Sequence, residues 1–203
     1  MKEKFTAVIS KYIPERSVEY CVDLWTHYRF SFKVTRERKS KLGDYQFHIR
    51  KKQHIITVNG SLNRYGFLIT FIHEVAHLVH HEQREKHHSP HGREWKQIFR
   101  QLMTPMLNED IFPEDLLARL KAHMENPKAS SYGDPRLARI IKKYDQDPDD
   151  SVIYLEELDT GEVFSFHGRS YEKIERRRTR CLCRDLKTGR KYLIPEVAMV
   201  TKV

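Results

Sequence analysis

The sequence predicts an α+β protein in two parts: a helical domain with a small antiparallel sheet beside its central helix, then a small all-β module. Three observations carry this. Residues 62–81 are apolar on nearly every side, as in a helix buried in a core. Short segments alternating apolar and polar residues precede that helix between residues 30 and 58. After residue 125 the composition turns to loop chemistry, and beyond residue 150 to short β-like runs separated by turns.

Taken in order, residues 3–13 read as a short helix. Pro14 opens a second, in which Val18, Cys21, Val22, Trp25 and Tyr28 recur at helical spacing. Phe30 to Thr35 alternates as a strand, and Arg36 to Lys41 is a basic turn. Tyr45, Phe47 and Ile49 alternate again, and His54 to Val58 gives a third strand ended by Asn59-Gly60. The central helix is predicted from Leu62 to His81. A polar loop, Glu82 to Pro90, leads to a helix from His91 to Met103 with Trp95, Ile98, Phe99 and Leu102 as its apolar stripe. Pro113 to Met124 is a further helix, and Leu137, Ile140, Ile141 and Tyr144 add a short one before an acidic hinge, Asp145 to Asp150. The predicted organisation is a first domain at 1–125, a linker at 126–150 and a basic β-barrel or ribbon at 151–203. Strand candidates in the last are Val152–Leu155, Val163–Phe166, Thr179–Arg184, Arg190–Ile194 and Val197–Val203.

The central helix carries His73-Glu74-Val75-Ala76-His77, an H-E-x-x-H. Residues four apart share a helix face, so His73 and His77 can hold one zinc ion while Glu74 takes a proton from a bound water. Two imidazoles and a carboxylate in such apolar surroundings are costly unless something pairs them, and a metal ion does so. A hydrolytic zinc keeps three protein ligands and one open position. The extended pattern with Gly and His three and six residues further on is excluded, because His80 and Gln83 stand there. Glu94 is one candidate for the third ligand and His91 the better one, with His87 and His88 competing for the role. His80, His81, His87 and His88 otherwise read as solvated helix-end and loop residues. No residue announces itself as a second oxyanion donor; Tyr45 and Tyr65 are the hydroxyls to consider.

H-E-x-x-H followed at this distance by His91-Gly92-x-x-Trp95 resembles the SprT-like zinc metallopeptidases, the family of SprT and the DNA-dependent protease Spartan. Lys41-Leu42-Gly43-Asp44-Tyr45 and His54-Ile55-Ile56-Thr57-Val58-Asn59 also resemble that family, and the likeness covers about residues 5–125. It implies a zincin-like fold, His73, His77 and His91 as zinc ligands, Glu74 as catalytic base and a protein substrate. Many members carry a zinc ribbon with two C-x-x-C pairs after the protease domain. Here only Cys181-Leu182-Cys183 remains, which predicts one zinc ion rather than two.

The net charge of +9 is unevenly spread. Residues 33–52 carry eight Lys/Arg against Glu37 and Asp44, and residues 167–192 ten against Glu172, Glu175 and Asp185. Residues 144–162 carry eight Asp/Glu and no Lys/Arg. The basic blocks suit a phosphate backbone or a merely solvated face, and the resemblance implies DNA, single-stranded or damaged, as a partner, with Lys39, Lys41, Arg176, Arg177, Arg178 and Arg180 as contacts. No apolar run reaches the roughly 18 residues of a membrane span, and MKEKFTAVIS lacks a signal-peptide core. Three cysteines cannot build a disulfide framework. A cytoplasmic protein is expected, nucleoid-associated if it binds DNA. The expected activity is zinc metalloendopeptidase, acting on DNA-associated or DNA-crosslinked proteins and so in crosslink repair. The competing class is a non-enzymatic zinc-containing DNA-binding or scaffold protein. A third reading is a peptidase whose basic tail binds an acidic protein partner.

Overall fold

The computed structural model describes residues 1–38, 41–83, 89–130, 133–145 and 153–203. The chain divides into two units, Met1–Gln146 and Asp147–Val203.

In the first unit α1 (Lys2–Ile9) and α2 (Val18–Tyr28) precede three strands, β1 (Ser31–Thr35), β2 (Gly43–His48) and β3 (Gln53–Asn59). Arg29 ends α2 in the left-handed conformation, and the Trp25 indole N–H donates to the Phe30 carbonyl, which turns the chain into β1. The predicted sheet forms, but it is mixed. Its order is β1-β3-β2, with β2 antiparallel and β1 parallel to β3. The reason lies in burial. Ile56 and Val58 are fully buried, so β3, the most apolar strand, takes the centre. The short link at Ile49–Lys52 holds β2 to it as a hairpin, which leaves β1 only the opposite side of β3.

The central helix, α3, runs Arg64–Gln83. Asn63 caps it, its side-chain oxygen accepting from the N–H groups of Tyr65 and Gly66, which sets the start just past the predicted Leu62. Thirteen of its twenty residues are buried, from Gly66 to His80. Phe67 and Phe71 pack against Phe32, and Phe71 also meets Phe5 and Phe30. His80 is among the buried residues, against the expectation of a solvated helix end: α3 outruns the prediction, and His80 lies on its inward side. α4 (Arg93–Met103) begins two residues later than predicted, because the Gly92 N–H closes a turn on Ser89 and leaves His91 outside the helix. α5 (Glu114–Glu125) and α6 (Pro135–Lys142) complete the unit. Asp134 caps α6 through the Leu137 N–H, takes both its oxygens to the Arg119 guanidinium and accepts from His123 Nδ1. Burial pushes its pKa up, but those hydrogen bonds outweigh it and hold the carboxyl below its ordinary value.

The second unit is one antiparallel sheet of six strands, β4 (Ile153–Tyr154), β5 (Val163–Phe166), β6 (Arg169–Arg176), β7 (Arg180–Asp185), β8 (Lys191–Pro195) and β9 (Met199–Lys202), in the order β4-β9-β5-β6-β7-β8. Its core gathers Leu155, Phe164, Tyr171, Cys181, Cys183, Ile194 and Val200. The two cysteines are fully buried and project from alternate residues of β7; burial raises both thiols, Cys183 to about 11. The sequence reading missed β6, because its inward face pairs Tyr171 with a lysine. Lys173 is 4% exposed and points its ammonium at the carbonyls of Glu156 and Leu158. His167 and Gly168, both at positive φ, make the tight β5–β6 hairpin. No helix among the described residues is long and apolar enough to cross a membrane.

Candidate metal centre

His73 and His77 stand one turn apart on α3, and His91 reaches them from the turn before α4. Their Nε2 atoms converge: His77 to His73 is 3.1 Å and His91 to His73 is 3.4 Å. Three nitrogens held about 2.0–2.1 Å from one tetrahedral zinc stand roughly 3.3 Å from each other, so both separations suit a shared ion. Among the described residues this is the only group of three ligand-bearing side chains close enough to hold a metal. Glu94 is not in the group; His87 and His88 lie outside the described residues.

The electrostatics agree with the geometry. Burial, and then repulsion from the neighbouring imidazoles, drives His73 well below its ordinary pKa. The same causes take His77 to about 3, while burial, His80 and Lys96 lower His91. All three are therefore neutral donors at physiological pH, the form a metal ligand requires. Trp95, fully buried, packs on each of them, with ring centroids 4.6, 5.2 and 4.8 Å from His73, His77 and His91. Phe99 backs both Trp95 and His73. This apolar floor fixes the imidazole planes.

Glu74, next in sequence to His73, is 6% exposed. Burial raises its carboxyl to about 8, helped by Asp44 and opposed by Arg38, Lys41 and a hydrogen bond from the Tyr45 backbone N–H. A cation among the imidazoles adds to the opposing side. β2 lies directly against this carboxylate. A Cβ on Gly43 would sit 2.6 Å from Glu74 Oε1 and 2.7 Å from Thr70 Cγ2, so a side chain at position 43 would have to displace both. Gly43 and the Tyr45 amide escaped the sequence reading as contacts of Glu74, because a backbone approach has no side-chain signature. Tyr45 Oη meets His54 Nδ1 at 3.0 Å, while its ring stacks parallel to His77. Tyr65 lies eight residues before His73, two turns down α3, packed on Phe112 and Tyr144.

The expected nucleic-acid contacts are dispersed. Arg38, in the same basic stretch, bonds to Asn59 and Thr57. Lys39 lies outside the described residues, and Lys41 pairs with Asp44 at 2.9 Å. Arg176 pairs with Glu196 at 2.9 Å and Arg177 with Glu175 at 2.8 Å. Arg178 and Arg180 are exposed at the tip of the β6–β7 hairpin.

Comparison with known proteins returns one family, SprT-like, matched over residues 15–118. No curated protein and no solved structure matches. The matched stretch, slightly more than half of the chain, holds the converging imidazoles, Glu74, and the strand that presses on it. The chain belongs to the SprT-like family.

Proposed function

We propose that this protein is a zinc-dependent endopeptidase. The observation that carries the reading is the meeting of three imidazole nitrogens beside a buried carboxyl on the helix that supplies two of them. His73, His77 and His91 would hold the ion, which when bound supplies Lewis acidity toward a peptide carbonyl and toward water. Glu74 accepts a proton at a carboxylate oxygen and returns it to the departing amine. The Tyr45 amide holds that carboxylate, and the bare Gly43 backbone leaves room for it. Arg38 and Lys41 favour its ionised form against burial. Trp95 and Phe99 exclude water from behind the imidazoles.

A purely structural zinc gains nothing from a carboxyl next to its first ligand, and would close with a fourth side chain. The group of three among the described residues favours the catalytic reading over the scaffold one. The test is zinc-loaded protein with an unfolded protein substrate, followed by Glu74→Gln. Loss of cleavage with zinc content intact supports the reading, and retained cleavage ends it.

DNA-associated proteins are the substrate class we favour. The support is the net charge of +9 and the exposed Arg178 and Arg180 at one hairpin tip. A phosphate contact of this kind weakens from low to moderate salt, so oligonucleotide binding indifferent to salt would remove it.

A further inference from the structure

α4 has two faces. Trp95, Ile98, Phe99 and Met103 are buried. On the other side Arg93, Lys96 and Arg100 follow at helical spacing and line a cleft of about 350 Å³ together with His91, Gly92 and Asn126. His91 thus belongs to two places at once, the converging imidazoles and the wall of this cleft. Two of the three cations have neutral partners. Lys96 Nζ donates to Asn126 Oδ1 at 2.7 Å, and Arg100 donates to the Glu125 carbonyl at 3.1 Å. Among the described residues no carboxylate makes an ion pair with any of them; Glu94 stands beside Gly92 but does not line the cleft. Elsewhere the chain does pair its cations, as Arg119 with Asp134 and Arg184 with Glu172 show.

We propose that this cleft is a substrate subsite receiving an aspartate or glutamate side chain of the polypeptide, next to the bond presented to Glu74 and the imidazoles. The inference rests on the peptidase reading and adds to it the side-chain class accepted. A carboxylate there completes charge-assisted hydrogen bonds that no acid among the described residues supplies, and arginine offers a two-pronged fit to it. The size of the cleft argues against nucleic acid. A volume of about 350 Å³ takes one or two side chains, whereas a groove tracking a single strand runs along about 4–16 nucleotides.

The experiment digests an unfolded, alkylated protein with the zinc-loaded full chain and maps the cuts by mass spectrometry. Acidic residues should be enriched about fivefold over basic ones at one fixed position within two residues of the cut. In the double variant Arg93→Glu/Arg100→Glu that ratio should invert, and in Arg93→Lys/Arg100→Lys the acidic preference should survive. The lysine pair is expected to fold, since it keeps both charges on an exposed and a half-buried position. Cuts without acidic preference, or a preference unmoved by the glutamate pair, overturn the subsite and leave the peptidase standing. A wild-type protein that cuts nothing overturns both. A rate that responds instead to a short single-stranded oligonucleotide, with that response lost in the glutamate pair, gives the cleft to phosphate and overturns the proposal.

Discussion

In the C-terminal sheet the buried charges sit beside their partners. Lys173 ends on two carbonyls, Glu196 accepts from Arg176, and Asp185 accepts from the N–H groups of Lys187 and Thr188. In the first unit α3 and the turn before α4 bring Glu74 together with the imidazoles of His73, His77 and His91, and the imidazoles have chiefly one another for polar company. Asp134, in that same unit, shows that the fold can satisfy a buried acid when structure alone is at stake. The difference separates polarity whose partners are built in from polarity gathered so that it could hold a metal ion. The first kind closes on itself. The second converges on one point.

The sharpest way to break the comparison is Glu74→Gln. It should lower peptide cleavage by about 10²–10⁴-fold while metal analysis finds zinc retained. Equal activity would make Glu74 a satisfied core residue like Glu196. Next comes metal removal. If the convergence awaits an ion, zinc at a hundred times its Kd should stabilise the first unit by about 2.7 kcal/mol, and a chelator should abolish that gain in calorimetry. The thermal transition of the sheet unit should not move. Gly43→Ala should then cost about tenfold in kcat with zinc content unchanged, because the new methyl displaces the carboxylate and not the ligands. A variant with unchanged kcat would show that Glu74 can give way without loss. The smallest effect belongs to the closed network. Lys173→Met leaves the carbonyls of Glu156 and Leu158 unpaired and should destabilise the sheet unit by about 1 kcal/mol, read as a lower melting temperature, without altering zinc affinity.

What could be read from the sequence follows the same division. The imidazole group was legible because a helix translates a spacing of four into a shared face, and because His91-Gly92-x-x-Trp95 lies close by in the chain. The α+β architecture followed from apolar periodicity. The parallel pairing of β1 with β3 was not legible, since register between strands more than twenty residues apart is decided by burial of the whole sheet. β6 was hidden by an inward lysine, whose partners lie on Glu156 and Leu158 well upstream. The basic runs read as one kind of surface, yet Arg38 bonds inward to β3, Arg176 and Arg177 are paired, and α4 collects a cleft from residues spaced along one helix. Charge is visible in a sequence; what neutralises it is not.

Trp95 touches all three imidazoles and is fully shielded from solvent, while the other tryptophan, Trp25, stacks on Phe5 in a different part of the same core. The molecule therefore carries its own optical gauge. Indole emission responds to the electronic state of an adjoining imidazole, so titrating the apo protein with a divalent ion should change the fluorescence from one chromophore and leave the other as an internal standard.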